Sequence, residues 1–80
     1  MKLNFKRIVL IEARNRKGWT QEELASGVGI SRAYLANIER GEYVPSLKVA
    51  QSLSKKLGVS IDKLFFNDNA RKTNSDKEVI

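Results

Sequence analysis

Eighty residues make one compact domain and leave no room for a second, and 41% apolar residues with a single Pro are enough to bury a small core. The chain has neither Cys nor His, which excludes disulfides, thiolate and imidazole chemistry and nearly every zinc arrangement, so no metal, no cofactor and no enzymatic activity are expected. A net charge of +6 favours a polyanionic partner. The longest apolar run, Ile8 to Ile11, falls far short of the roughly 18 to 20 residues of a bilayer span, so neither a membrane segment nor a signal sequence is expected and the expected location is cytoplasmic.

Taken in chain order, punctuation divides the sequence into five short helical segments, and no β-branched alternation is long enough for a strand. The fold class is therefore all-α. The first helix is predicted from Phe5 to Lys17, stopping at Gly18, with Leu10, Ala13 and the stem of Lys17 facing the core. The second opens at Thr20. There Thr20 and Glu23 form a capping box, with Trp19 and Leu24 as the hydrophobic staple.

The same five-residue staple recurs around Ser31, between Ile30 and Leu35, and around Ser60, between Val59 and Leu64, which sets two more helix starts. Ser46 caps a fourth helix whose stripe is Leu47, Ala50, Leu53 and Leu57, ended by Gly58. The fifth is short, Ile61 to Phe66. Residues 67–80 are polar almost throughout and are expected to form a disordered tail beyond a domain of residues 1–66.

Residues 20–40 read as two helices meeting at Val28-Gly29-Ile30, a helix-turn-helix pattern. Gly29 supplies the positive φ of the tight turn and Ala25 the small side chain for close helix approach. Leu24, Val28, Ile30, Leu35 and Ile38 form the shared apolar wedge. The helical period then leaves Arg32, Ala33, Ala36, Asn37 and Arg40 pointing outward. Arg can grip guanine O6 and N7, Asn can grip adenine N6 and N7, and small Ala neighbours permit close approach in a major groove. Without the surrounding pattern, the same polar side chains could simply solvate an exposed helix face.

The segments Trp-Thr-Gln-Glu-Glu-Leu-Ala, Gly-Ile-Ser-Arg, Ile-Glu-Arg-Gly and Pro-Ser-Leu, in this order and spacing, resemble the Cro and phage-repressor family of helix-turn-helix domains over about residues 5 to 66. Several spaced motifs are more specific than one isolated match. The resemblance implies a compact five-helix bundle that binds a double-stranded DNA operator as a homodimer. It makes Arg32, Ala33, Ala36 and Asn37 the base-contacting residues. Gln21, Ser31, Tyr34, Arg40, Tyr43 and Arg14 become contacts to the DNA backbone, with Gln21 at the amino end of the second helix. It also pairs Arg14 with Glu39 in a structural ion pair.

Two features depart from the family's pattern. Gly27 inside the second helix costs about 1 kcal/mol relative to Ala, and Ala33 and Ala36 replace longer polar residues, which favours contact with thymine methyls or reliance on DNA shape. Surplus apolar side chains at the two ends, Ile8 and Ile11, and the pair Phe65 and Phe66, which cannot both point inward, mark a candidate dimer surface; scattered surface hydrophobes are the alternative.

The function expected is that of a sequence-specific transcriptional regulator, a repressor on a near-palindromic operator. The alternative is an antitoxin or protein-interaction module whose tail or apolar surface binds a protein partner. Deleting residues from Asn67 onward separates the two.

Overall fold

The computed structural model describes residues 6–66, and among these every regular element is helical. The helices are α1 (Ile8–Arg16), α2 (Gln21–Val28), α3 (Arg32–Glu39) and α4 (Leu47–Leu57), followed by a closing segment, Asp62–Phe66, wound with π-helical geometry. The tail assigned to residues 67–80 lies outside the described residues, as does Phe5 itself, but Lys6 and Arg7 are not helical, so the first helix begins at Ile8 rather than as early as Phe5.

The caps explain most of the boundaries. At α2 the Thr20 hydroxyl accepts from the Glu23 backbone N–H at 3.0 Å and the Glu23 carboxylate accepts from the Thr20 N–H at 2.8 Å. Ser31 caps α3 and Ser46 caps α4, each hydroxyl accepting from the backbone N–H three residues on. α1 lacks such a side-chain cap. The residue before it, Arg7, instead gives its backbone N–H to the Glu39 carbonyl at 2.9 Å, so a tertiary bond fixes where the helix begins.

The core is one cluster. Leu10, Leu24, Leu35, Ile38 and Leu53 are fully buried, with Ala13, Ala25, Ala50, Leu57, Leu64 and Phe65 around them. Trp19, Val28, Ile30 and Val59 lie half-buried against it, completing the staples. α2 packs on α3 and α4, while α1 packs on α3 and the closing segment. At the α2–α3 turn Gly29 sits at φ 78°, the left-handed conformation that lets α3 leave at an angle.

Three packing expectations need correction. Leu47 is 68% exposed rather than a core residue. At 100° per residue it lies roughly 90° around α4 from the mean direction of Ala50, Leu53 and Leu57, so the helix turns it away. Lys17 is exposed in the turn after α1 and adds no stem to the core. The last element is also not an α-helix. Its wider winding brings successive side chains closer to one face, so Leu64 and Phe65 both bury while Phe66 remains 65% exposed.

Candidate nucleic-acid interface

α3 exposes Arg32 and Ala33 in its first turn, keeps Asn37 half-buried near its end, and is followed by exposed Arg40 at its C-cap. The only acid within α3 is Glu39, which is buried at 3% exposure. The exposed side of the helix is consequently basic although the surrounding sequence is not, a distinction that net charge cannot reveal.

The buried acid is held from two other helices, α1 and α2. Arg14 of α1 donates from Nε to Glu39 Oε2 at 2.7 Å and from Nη2 to Oε1 at 3.3 Å, while its Nη1 donates to the Trp19 carbonyl at 2.8 Å. Gln21 of α2 donates from Nε2 to Glu39 Oε1 at 2.9 Å. The Gln21 Oε1 in turn accepts from Arg32 Nη1 at 3.5 Å, so a polar chain runs from the first residue of α3 across α2 to α1. This lattice sets the angle at which α3 is presented, and it engages three of the five N–H groups of Arg14 within the chain.

Ala36 needs correction as an outward-facing residue: it is 9% exposed. A recess of about 350 Å³ lies beside α3, lined by Lys6, Ile11, Arg14, Gln21, Arg32, Ala36, Glu39 and Arg40. α1 closes over Ala36, so its methyl lies in this recess while the next position on the same side, Arg40, is open. A helical period alone cannot reveal a second helix packed alongside.

Of the residues assigned to the DNA backbone, Ser31 has its oxygen engaged in the α3 cap. Tyr34 is half-buried, its ring tilted against the exposed Tyr43 ring at 5.9 Å between centroids, which ties α3 to the loop that follows. Lys6 was missed by sequence reasoning because nothing in its neighbourhood marks it. It reaches the interface only because α1 crosses α3.

The candidate dimer residues separate. Phe65 is buried beneath the Arg7 guanidinium, 5.0 Å from its ring centroid, and Ile11 lines the recess beside Arg32, so neither belongs to a free apolar surface. Ile8 at 52% and Phe66 at 65% do remain exposed. The Arg7 guanidinium donates to the carbonyls of both Tyr43 and Phe65 at 3.4 Å, which brings the neighbours of these residues, Ile8, Val44 and Phe66, to one region. Val44 is 73% exposed, and sequence reasoning did not single it out because it sits in a loop before Pro45.

Two helices crossing at a glycine turn, the second offering an unshielded basic side, define a DNA-binding helix-turn-helix domain of the transcription-regulator class. The Helix-turn-helix family model (HTH_3) matches residues 10–64, and the chain belongs to this family. It is 40% identical over 55 residues to the uncharacterized HTH-type transcriptional regulator YgzD of Bacillus subtilis, covering 69% of this chain and 83% of that protein. It is also 40% identical over 48 residues to the immunity repressor protein of Bacillus phage phi105, covering 60% of this chain and 33% of the repressor. Among solved structures, the N-terminal DNA binding domain of SinR from Bacillus subtilis superposes with a TM-score of 0.68 at 30% identity, covering 78% of this chain and 91% of that one. No helix among the described residues is long and apolar enough to cross a membrane.

Proposed function

We propose that this protein is a transcriptional repressor that binds a near-palindromic operator as a homodimer, with α3 in the major groove. The observation that carries the reading is the row of exposed Arg32 and Ala33, half-buried Asn37 and exposed Arg40, on a helix whose single acid is buried under Arg14 and Gln21. Arg and Asn read base edges, Ala33 permits close approach, and Lys6, Gln21 and Tyr43 flank the helix where phosphates would run. The similarity to a phage immunity repressor and to the DNA binding domain of SinR supports the same assignment.

A dimer supplies the second half of the contact. The apolar side chains Ile8, Val44 and Phe66 are exposed in the one region that Arg7 draws together, and they are the surface proposed to pair. Paired copies place two recognition helices about 34 Å apart, one turn of DNA.

Selection of bound sites from random duplexes, with sedimentation of the protein–DNA complex, tests both parts. The expected outcome is an inverted repeat bound by two chains. An enriched site bound by one chain refutes the dimer, and no enrichment at all refutes the operator.

A further inference from the structure

Arg7 meets three backbone stretches that are far apart in sequence. Its backbone N–H donates to the carbonyl of Glu39, the last residue of α3, at 2.9 Å. Its guanidinium forks, Nη2 donating to the Tyr43 carbonyl and Nη1 to the Phe65 carbonyl, each at 3.4 Å, with Cζ 5.0 Å from the Phe65 ring centroid. The Arg7 Nε is buried, so the stem is enclosed as well as the tip.

Ile8, Val44 and Phe66 each directly follow one of the three residues that meet here, Arg7, Tyr43 and Phe65. Both carbonyls gripped by the guanidinium therefore belong to planar peptide units that lead into an exposed apolar side chain, and gripping the oxygen orients the unit. Tyr43 and Val44 lie outside every helix, so no helical hydrogen bond orients theirs. At its other contact Arg7 holds the carbonyl of Glu39, whose carboxylate is already held by Arg14 and Gln21. The apolar patch is thus clamped to the recognition helix at a residue fixed from both ends.

In a dimer on DNA, the spacing and phase of the two half-sites are set by whatever joins the paired surface of each subunit to its recognition helix. Adding or removing one base pair shifts a half-site by about 3.4 Å and turns it by about 35°. A subunit with a rigid joint accepts one spacing, and one whose patch can swing accepts several.

We propose that Arg7 is a positioning residue that fixes the half-site spacing of the operator by clamping the Ile8, Val44 and Phe66 patch to the end of α3. The inference rests on the homodimer reading and adds to it a determinant of specificity that lies away from the base-reading side chains.

The test is selection, with the full chain, from duplexes that carry two inverted copies of the preferred half-site separated by spacers of different length. The wild-type protein is expected to favour one spacer about tenfold over those one base pair longer or shorter. Arg7→Met keeps the length of the side chain and the backbone N–H but removes the fork and the cation over Phe65. It is expected to bind an isolated half-site within about twofold of wild type, while its preference among neighbouring spacers falls to about twofold. Circular dichroism establishes that the variant is folded. Should it not fold, Arg7→Lys, which keeps the cation but carries one nitrogen in place of the fork, is read in its stead and is expected to relax the spacing in the same direction. A folded variant that keeps the full wild-type spacing preference overturns the inference, as does one that loses the half-site sequence or binds paired half-sites only as a monomer. Wild-type protein that binds paired half-sites with no spacer preference also overturns it, whereas wild-type protein that enriches only single half-sites overturns the homodimer reading itself.

Discussion

Gln21 and Glu39, eighteen residues apart in sequence, are joined by a hydrogen bond of 2.9 Å from the Gln21 amide to a carboxylate that is almost wholly buried. The first turn of α2 and the last turn of α3 thus share one acceptor, and Arg14 brings α1 to it as well. Three helices meet at a single charged group, and the angle of α3 depends on it.

Removing Arg14 leaves the Glu39 carboxylate buried with Gln21 as its remaining side-chain donor. Arg14→Ala is expected to destabilise the fold by about 3 kcal/mol, at the lower end for a broken buried pair because Arg14 retains some solvent contact. In a domain of this size that lowers Tm by about 10 °C or more. An unchanged Tm in a calorimetric scan would show that the pair does not hold the helices.

Base-reading and backbone contacts separate when cognate and random duplexes are titrated side by side. Arg32→Ala and Asn37→Ala are each expected to lose about 1 to 3 kcal/mol on the cognate site and far less on random DNA. Gln21→Ala is expected to weaken both duplexes, through a lost phosphate contact, and the cognate site somewhat more, because Gln21 also braces Glu39 and Arg32. Equal losses on both duplexes for Arg32→Ala would remove that side chain from the groove.

The two glycines around the turn are expected to respond in opposite directions to alanine. Gly27 lies within α2, and a Cβ there would approach Lys56 Cε at 2.9 Å, a flexible contact that Lys56 can relieve by leaving its place 5.7 Å over the Trp19 ring. The gain in helix propensity is about 1 kcal/mol and the lost cation–π contact about 0.5 kcal/mol, so Gly27→Ala stabilises by about 0.5 kcal/mol. Gly29→Ala meets no neighbouring atom but forces a side chain into φ 78°, a loss of about 1 to 2 kcal/mol. Urea unfolding of the two variants gives midpoints on opposite sides of the parent's.

Association and folding can be separated at adjacent residues. Phe66→Lys alters an exposed side chain and is expected to give a folded monomer that binds a half-site as before and a full operator more weakly. Phe65→Ala removes a buried ring and is expected to cost about 3 kcal/mol of stability. Sedimentation velocity with circular dichroism distinguishes these outcomes. A Phe66→Lys protein that remains dimeric places the interface elsewhere.

Much of this architecture is local and was therefore legible in the chain. The capping box at Thr20, the serine caps at Ser31 and Ser46 and the left-handed Gly29 each depend on atoms within a few residues of one another, so spacing alone specifies them. The helix-turn-helix pattern and its apolar wedge follow from the same short-range periodicity. Tertiary packing decided the rest. It closed α1 over Ala36, turned Leu47 to solvent, buried Phe65 while leaving Phe66 out, and brought Lys6 to the edge of the recess. The physical reason is that a helical period assigns each side chain a direction, whereas burial and hydrogen-bond partners depend on which neighbour occupies that direction, and the neighbours here come from segments far apart in sequence.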